Sequence, residues 1–531
     1  RLIIMRNVIG NSHLQQPILP SLFSIGAIGL TLAGALIWQS EFAYALDYVS
    51  SYVDGLLRWW YVALVAFLTA FVIWLGLGRY KNVRLGKDYE QPEYRLFPWL
   101  AMLFAAGTGV GLLFWSIAEP IMHFQGNPFT SEGFTPSAAS TAIQLSFFHW
   151  GLNGWAIFAL VAIAFGYFSY RHDLPLAPRS ALYPFIGERI FGFWGHVVDA
   201  LAVFATVFGL ATTLGLGARQ TGTGLKWLFS VEASRWVELS VVAVVTVIAT
   251  ISVVSGVRRG VKILSEVNLW LTLILLAAFM IIGPFDYMAG LLVQEIGGYL
   301  DSLLIMTFYV GANEPGNWQS TWTVFFWGWW LAWSPFVGLF IARISRGRTL
   351  REFVFGVLLL PTLVTFVWIS VMGGAALHSE LFGGGGIVEA VNKDIAYALF
   401  ATIEHLQTTD SIKFLMGLVA TLLISIYFIT SADSGALVVN IILSGGKLEP
   451  PKASRAGWAI ANGVLTAVLL VAGGIAVLQD AVILAALPFS LVIVAMTAGL
   501  LKALHHEPLV APREGCKQHR AAEPWTGADQ A

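Results

Sequence analysis

Twelve stretches of about 20 apolar residues, each divided from the next by a polar segment, limit what this chain can become. A helix needs about 20 such residues to cross a hydrocarbon core, and lipid tolerates only helices and closed barrels, which satisfy their own backbone. The stretches lie near 17–39, 59–78, 97–118, 140–168, 196–218, 234–255, 262–284, 321–344, 351–375, 411–443, 455–478 and 481–503. Of the 531 residues 57% are hydrophobic and 11% charged, against roughly 25% charged in a soluble domain. An all-α polytopic membrane protein with twelve transmembrane helices is expected.

The basic residues test that count. Segments after even-numbered spans, together with Arg1 and Arg6, hold 24 of the 30 lysines and arginines. Odd-numbered loops hold Arg58, Arg219, Lys226, Arg235, Lys393 and Lys413. By the positive-inside rule both termini are expected in the cytoplasm. The formal net charge of −1 supplies no field to recruit nucleic acid. The lone cysteine, Cys516, excludes an internal disulfide framework and a cysteine-built metal site. The first apolar run is long enough to span and many more follow, so no cleavable signal is read. Segment 286–310 is amphipathic and predicts a helix lying along the outer membrane surface. Residues 385–406 predict a shorter outside helix, and the mixed-charge tail from His505 to Ala531 predicts disorder.

Three spans carry unusual chemistry. Span 8 reads TWTVFFWGWWLAWSPFVG (321–338), with Trp322, Trp327, Trp329, Trp330 and Trp333 ahead of Pro335. Trp322 suits an interface anchor, whereas Trp330 and Trp333 lie deep in the run, where several rings could receive an onium cation. Span 3 contains Gly107-Thr108-Gly109-Val110-Gly111. These glycines serve either close helix packing or a broken helix whose freed amides face an anion and whose carbonyls face a cation. Span 4 reads FFHWGLNGWAIF (147–158); on a continuous helix Trp150, Trp155 and Phe158 share roughly a 140° arc, a core stripe or a ligand box. His149 reads as a hydrogen-bonded structural residue. Span 10 carries Tyr427-Phe428-Ile429-Thr430-Ser431-Ala432-Asp433-Ser434. Its hydroxyls either bond back to their own helix or, beside a broken helix, ligate Na⁺. Asp433 is an intramembrane acid read as capping or pairing within the bundle rather than ligating an ion, with Asp199 and Glu266 similarly ambiguous.

The motifs GTGVGLLFWSIAEP (107–120), FFHWGLNGW (147–155), FFWGWWLAWSPFVGLFIARISRGR (325–348) and FITSADS (428–434) resemble those of the betaine/choline/carnitine transporters. The resemblance covers essentially all twelve spans. It implies a fold like that of the sodium-coupled amino-acid transporters: residues 1–96 with two extra helices, a first repeat over 97–284, the surface helix within 285–320, an inverted second repeat over 321–503, and a cytoplasmic tail over 504–531. It also implies a homotrimer held partly through 286–310, in the inner membrane of a bacterium. The family's aromatic box falls on Trp150, Trp155, Phe158 and Trp330, with Trp329, Trp333 and Phe325 beside it and Gly107, Thr108, Gly109 and Gly111 lining the glycine stretch. Phe158 replaces the tyrosine usual in betaine carriers, and Thr108 stands where they often have methionine. The sodium site maps to the carbonyls of Ala105, Thr108 and Tyr427 and the hydroxyls of Thr430 and Ser431. With both hydroxyls present and no arginine after Lys262 in span 7, the chain resembles sodium-coupled members rather than the sodium-independent carnitine exchangers. Choline carriers tend to have aspartate at the position of Gly111; with no acid in the box, a zwitterion is expected. The resemblance therefore implies a sodium symporter for glycine betaine or dimethylsulfoniopropionate, with no cofactor besides Na⁺. A sodium-independent exchanger and a choline importer are the alternatives. An enzyme is not expected, because the spans contain no nucleophile–base pairing.

Overall fold

The structure, a computed structural model, describes residues 18–507 apart from Thr108, Ala233, Gly256, Val257 and Pro315. Thr108, assigned above to both the substrate and sodium sites, lies outside the described residues, as do Arg1, Arg6 and the tail beyond Glu507. Regular structure among the described residues is helical, with one isolated β-bridge between Arg84 and Thr349. The principal helices are α1 (Ile18–Ile37), α2 (Gln39–Leu77), α3 (Leu96–Gly107), α4 (Val110–Gln125), α5 (Pro136–Trp150), α6 (Leu152–Gly166), α7 (Phe193–Phe229), α8 (Arg235–Ser255), α9 (Arg258–Ile282), α10 (Phe285–Phe308), α11 (Phe325–Ile344), α12 (Leu350–Phe382), α13 (Ile387–Lys393), α14 (Ala398–His405), α15 (Asp410–Leu443) and α16 (Lys452–His505).

Among the described residues, eleven helices are long and apolar enough to cross a membrane. Three features relate that number to the twelve expected spans. Span 3 is divided between α3 and α4, each too short to qualify alone. The segment expected on the surface, α10, itself qualifies by length and composition. Finally, α16 holds two spans, because the chain reverses at Gly473 and Gly474, where φ of Gly474 is +71°. The reversal is visible in its contacts. Val471 accepts from Gln39 Nε2 at the α1–α2 junction, whereas Ser454 and Lys502, near the two ends of α16, bond Asn440 and the Pro184 carbonyl at the opposite end of the bundle. The boundary expected at 479–480 is thus corrected by about six residues. Gln479 and Asp480 read as a loop, yet the carboxyl of Asp480 is turned toward Ser50 on α2 from within a helix.

Two other boundaries move. Helix α2 begins at Gln39 rather than 59, and its 39 residues extend about 58 Å. The outside helix expected at 385–406 is two short helices, α13 and α14, joined by a 3₁₀ turn that Asp394 caps by accepting from Ala396 N. They pack beside the end of α4, where Asn392 and Gln125 exchange hydrogen bonds of 2.8 and 3.2 Å.

Local chemistry explains the starts and kinks. Helix α5 begins where Thr135 accepts from Ala138 N, with Pro136 in the first turn. Helix α12 opens on a capping box between Thr349 and Glu352. In α11, Pro335 cannot donate to the Leu331 carbonyl, and the Ser334 hydroxyl donates to it instead at 2.7 Å. That substitution keeps a proline-bearing helix continuous through the apolar core.

Candidate functional site: an aromatic cluster beside a broken helix

Span 3 breaks where its glycines permit. Helix α3 ends at Gly107, Gly109 is extended (φ −174°, ψ −178°), and α4 starts at Val110. A helix leaves its last four carbonyls and first four amides without intrahelical partners, so carbonyls of α3 and amides of α4 meet at the break. Gly111, in the first turn of α4, serves a second purpose. A Cβ there would come within 2.4 Å of the Trp329 ring and 3.2 Å of the Trp150 ring, so only glycine lets both rings close over the helix start.

Span 4 is broken too, which corrects the continuous helix expected above. Gly151 (φ −95°, ψ −143°) separates α5 from α6, and a Cβ on it would meet the Phe147 carbonyl at 2.4 Å. Trp150 therefore ends one helix while Trp155 and Phe158 ride on the next, and helical periodicity does not carry across the motif. A single glycine in an apolar run reads as packing, so the sequence offered no clear sign.

The rings of span 8 meet these two half-helices. Trp330 lies 4.7 Å from Phe158, 5.8 Å from Trp150 and 5.9 Å from Trp155, centroid to centroid. It lies directly over Gly154, where a Cβ would fall 2.7–2.9 Å from the indole. All four rings are buried, and the indole N–H groups of Trp155 and Trp330 have no hydrogen-bond partner among the described residues. Trp330 touches each of the other three rings, and Trp155 meets Phe158 at 5.6 Å. Trp329 stacks on Phe325 at 5.7 Å and donates to Thr213 on α7, while Trp333 donates to the Gly209 carbonyl. These two are thus placed beside the box, toward α7. Trp322, read as an interface anchor, is instead buried, 4.4 Å from the ring of His123.

On span 10, Thr430 donates to the carbonyls of Ile426 and Tyr427, both at 3.1 Å, the back-bonding arrangement. Tyr427 and Gly109 line one narrow gap together with Leu112, Leu113, Thr272 and Trp368, which places α15 against the helix break. The intramembrane acids resolve differently. Asp199 pairs with Arg179, at 2.6 Å through the guanidinium and 3.0 Å through the amide, with both side chains buried. Asp433 is turned toward Ser252 and Arg455, and Glu266 is exposed on α9.

Inspection of the sequence missed one residue. Glu119, on α4, is fully buried and accepts from the Trp150 indole at 3.0 Å, while its other oxygen lies 2.6 Å from His149 Nδ1. His149 is hydrogen-bonded, as expected, but to a carboxylate immediately behind the box. No acid is expected in the box itself, and Glu119 stands behind its Trp150 wall rather than among the rings. Thirty residues separate the pair in sequence, and no local spacing announces it.

A membrane bundle with a helix broken beside converging aromatic rings has the build of a secondary transporter. The profile described as "BCCT, betaine/carnitine/choline family transporter" matches residues 21–509. A glycine betaine transporter of Acinetobacter baylyi is 41% identical over 91% of this chain and 73% of its own length. An osmo-dependent choline transporter of the same organism is 42% identical over 87% of this chain and 68% of its own. The glycine betaine transporter OpuD of Bacillus subtilis is 39% identical over 90% and 93%. The chain belongs to the betaine/carnitine/choline transporter family; it is a membrane transporter and not an enzyme.

Proposed function

We propose that the chain imports a zwitterionic onium compound of the glycine betaine or dimethylsulfoniopropionate type by sodium symport with alternating access. One observation carries this reading: Trp150, Trp155, Phe158 and Trp330 converge from three helix segments, with the free first turn of α4 adjacent across Gly111. Each ring contributes roughly 0.5–2 kcal/mol to a desolvated cation. The substrate carboxylate lies toward the amides of the stretch Gly107 to Gly111, where the helix dipole favours an anion. Trp329, Phe325 and Trp333 border the path. The names of two relatives given above, both glycine betaine transporters, support this substrate class.

Sodium binds between the carbonyls of Ala105, Thr108 and Tyr427 and the hydroxyls of Thr430 and Ser431, holding α3 against α15, so that ion and substrate bias the same closing step. The proximity of Gly109 to Tyr427 supports it. Spans 3–7 and 8–12 form inverted repeats, both termini face the cytoplasm of a bacterial cell, and the protein is a homotrimer in its inner membrane. The exposed apolar side chains Val293, Leu300, Leu304, Ile305 and Phe308 on α10 support the oligomer. A choline importer is the second reading, favoured by the Glu119 carboxylate behind Trp150 and by the choline transporter among the relatives. Uptake into proteoliposomes separates the cases. Labelled glycine betaine should accumulate under an inward Na⁺ gradient and outcompete choline. Uptake unchanged when K⁺ replaces Na⁺ would refute the coupling, and preferential choline uptake would select the second reading.

A further inference from the structure

Behind the aromatic box lies the most enclosed set of titratable side chains among the described residues. Glu119 and His123, one turn apart on α4, and His149 on α5 are each completely buried. One Glu119 oxygen lies 2.6 Å from His149 Nδ1 and 3.4 Å from His123 Nε2, and the other accepts from Trp150 Nε1 at 3.0 Å. His149 Nε2 lies 3.0 Å from the Thr323 hydroxyl, in the π-helical turn ahead of α11, and its ring stacks on Phe326 at 4.7 Å. Two histidines and a carboxylate so close could be taken for a metal site. A tetrahedral ion at about 2.0 Å from each ligand would hold ligand atoms about 3.3 Å apart. The 2.6 Å separation of Glu119 from His149 is instead that of a charge-assisted hydrogen bond.

The donor inventory points to where the protons sit. An indole N–H only donates, so the Glu119 oxygen facing Trp150 is an acceptor. Thr323 Oγ1 and His149 Nε2 lie 3.0 Å apart and either can donate; with the hydroxyl as the donor, Nδ1 carries the imidazole proton and donates to the other oxygen. Both oxygens then accept, which is the pattern of an ionised carboxylate. We propose that Glu119 is ionised, positions the Trp150 indole, and acts as the buried counter-charge that makes the box select a cationic head over a neutral one of the same shape. This rests on the aromatic-box reading given above. A unit charge at roughly 10 Å, with an effective dielectric of about 20, is worth on the order of tenfold in affinity.

The test compares glycine betaine with 3,3-dimethylbutanoate, in which carbon replaces the quaternary nitrogen and shape is kept. Binding to the purified full chain in nanodiscs is followed by tryptophan fluorescence. Glu119→Gln keeps an oxygen for the Trp150 indole while removing the charge. We expect betaine affinity to fall about tenfold and that of the carbon isostere to hold or rise, so the ratio of the two collapses. Thr323→Val, which removes the hydroxyl orienting His149, should lower the same ratio by less and serves if Glu119→Gln does not fold. An unchanged ratio in the folded variants overturns the inference, whether both ligands weaken together or neither does. Trp330→Ala separates the two levels. If it leaves betaine binding intact, the box itself is misassigned; if it abolishes binding while the Glu119→Gln ratio is unchanged, only the counter-charge fails.

Discussion

Placing a side chain at Gly154 should disable the box with every one of its rings left unsubstituted. A Cβ at this position lies 2.7–2.9 Å from three atoms of the Trp330 indole, and a valine adds two methyls pointing at a rigid bicycle with no flexible end to yield. Trp330 is buried and already in contact with Trp150, Trp155 and Phe158, so it cannot withdraw without disturbing the other walls. Overpacking of this kind costs roughly 1–3 kcal/mol. If most of that falls on the substrate-binding geometry, affinity for glycine betaine drops roughly 5- to 150-fold. Binding by tryptophan fluorescence and uptake in proteoliposomes read the loss directly, and a thermal melt distinguishes it from global destabilisation. A double-mutant cycle makes the reasoning refutable. Should Gly154→Val weaken binding as much on a Trp330→Ala background as on the wild type, the effect does not pass through Trp330. An affinity within twofold of wild type in the single variant would equally refute it.

Two further outcomes follow from ion pairs away from the box. Asp199→Asn leaves Arg179 buried against a neutral amide, and removal of one member of a buried pair costs roughly 3–5 kcal/mol; a fall in melting temperature is expected, with betaine affinity of the folded fraction unchanged. Glu507 follows α16 and bonds Arg171 twice at 2.7 Å and the Tyr167 hydroxyl at 2.7 Å, with His172 at 3.5 Å. Burial raises its pKa, but the bonds to His172, Arg171 and Tyr167 outweigh that and hold the carboxyl well below the usual value of 4.5. A depressed folded-state pKa stabilises the protein fully above the unfolded value and progressively less as pH falls beneath it. The melting-temperature gap between wild type and Glu507→Gln should therefore be constant from about pH 6 to 8 and narrow below about pH 4.5; a gap that widens on acidification would contradict the clamp.

The membrane architecture could be read from the chain because apolar run length and loop charge are local properties. Boundaries failed where polarity misled: Gln479 and Asp480 look like a loop, but a helix accommodates them once Asp480 meets Ser50, and the reversal occurs at the featureless pair Gly473–Gly474. The break in span 3 was legible as one of two readings, since clustered glycines weaken a helix wherever they occur. The break at Gly151 was not, because one glycine among large apolar residues signals equally well a close neighbour. The box rings could be named from their motifs, but their convergence depends on how α5, α6 and α11 cross. Glu119 escaped notice because the groups it bonds, His149 and Trp150, come from another segment of the chain. Trp322 was misjudged for a similar reason: a tryptophan near the end of an apolar run suits a lipid headgroup, but α4 brings His123 against it.

The interruption at Gly151 turns the size of the box into a matter of leverage. Trp150 and Trp155 hang from separate rigid rods joined at one glycine, so their separation answers to two backbone torsions and not only to the volumes of the side chains between them. Trp155 rides about 6 Å along its rod from that joint, so a swing of about 10° displaces it by about 1 Å, less than the width of a methyl group. If the four rings bind the proposed onium substrate, heads bearing two methyls or three can be gripped at different settings of a single hinge, and a preference between them can drift through changes remote from every ring of the box.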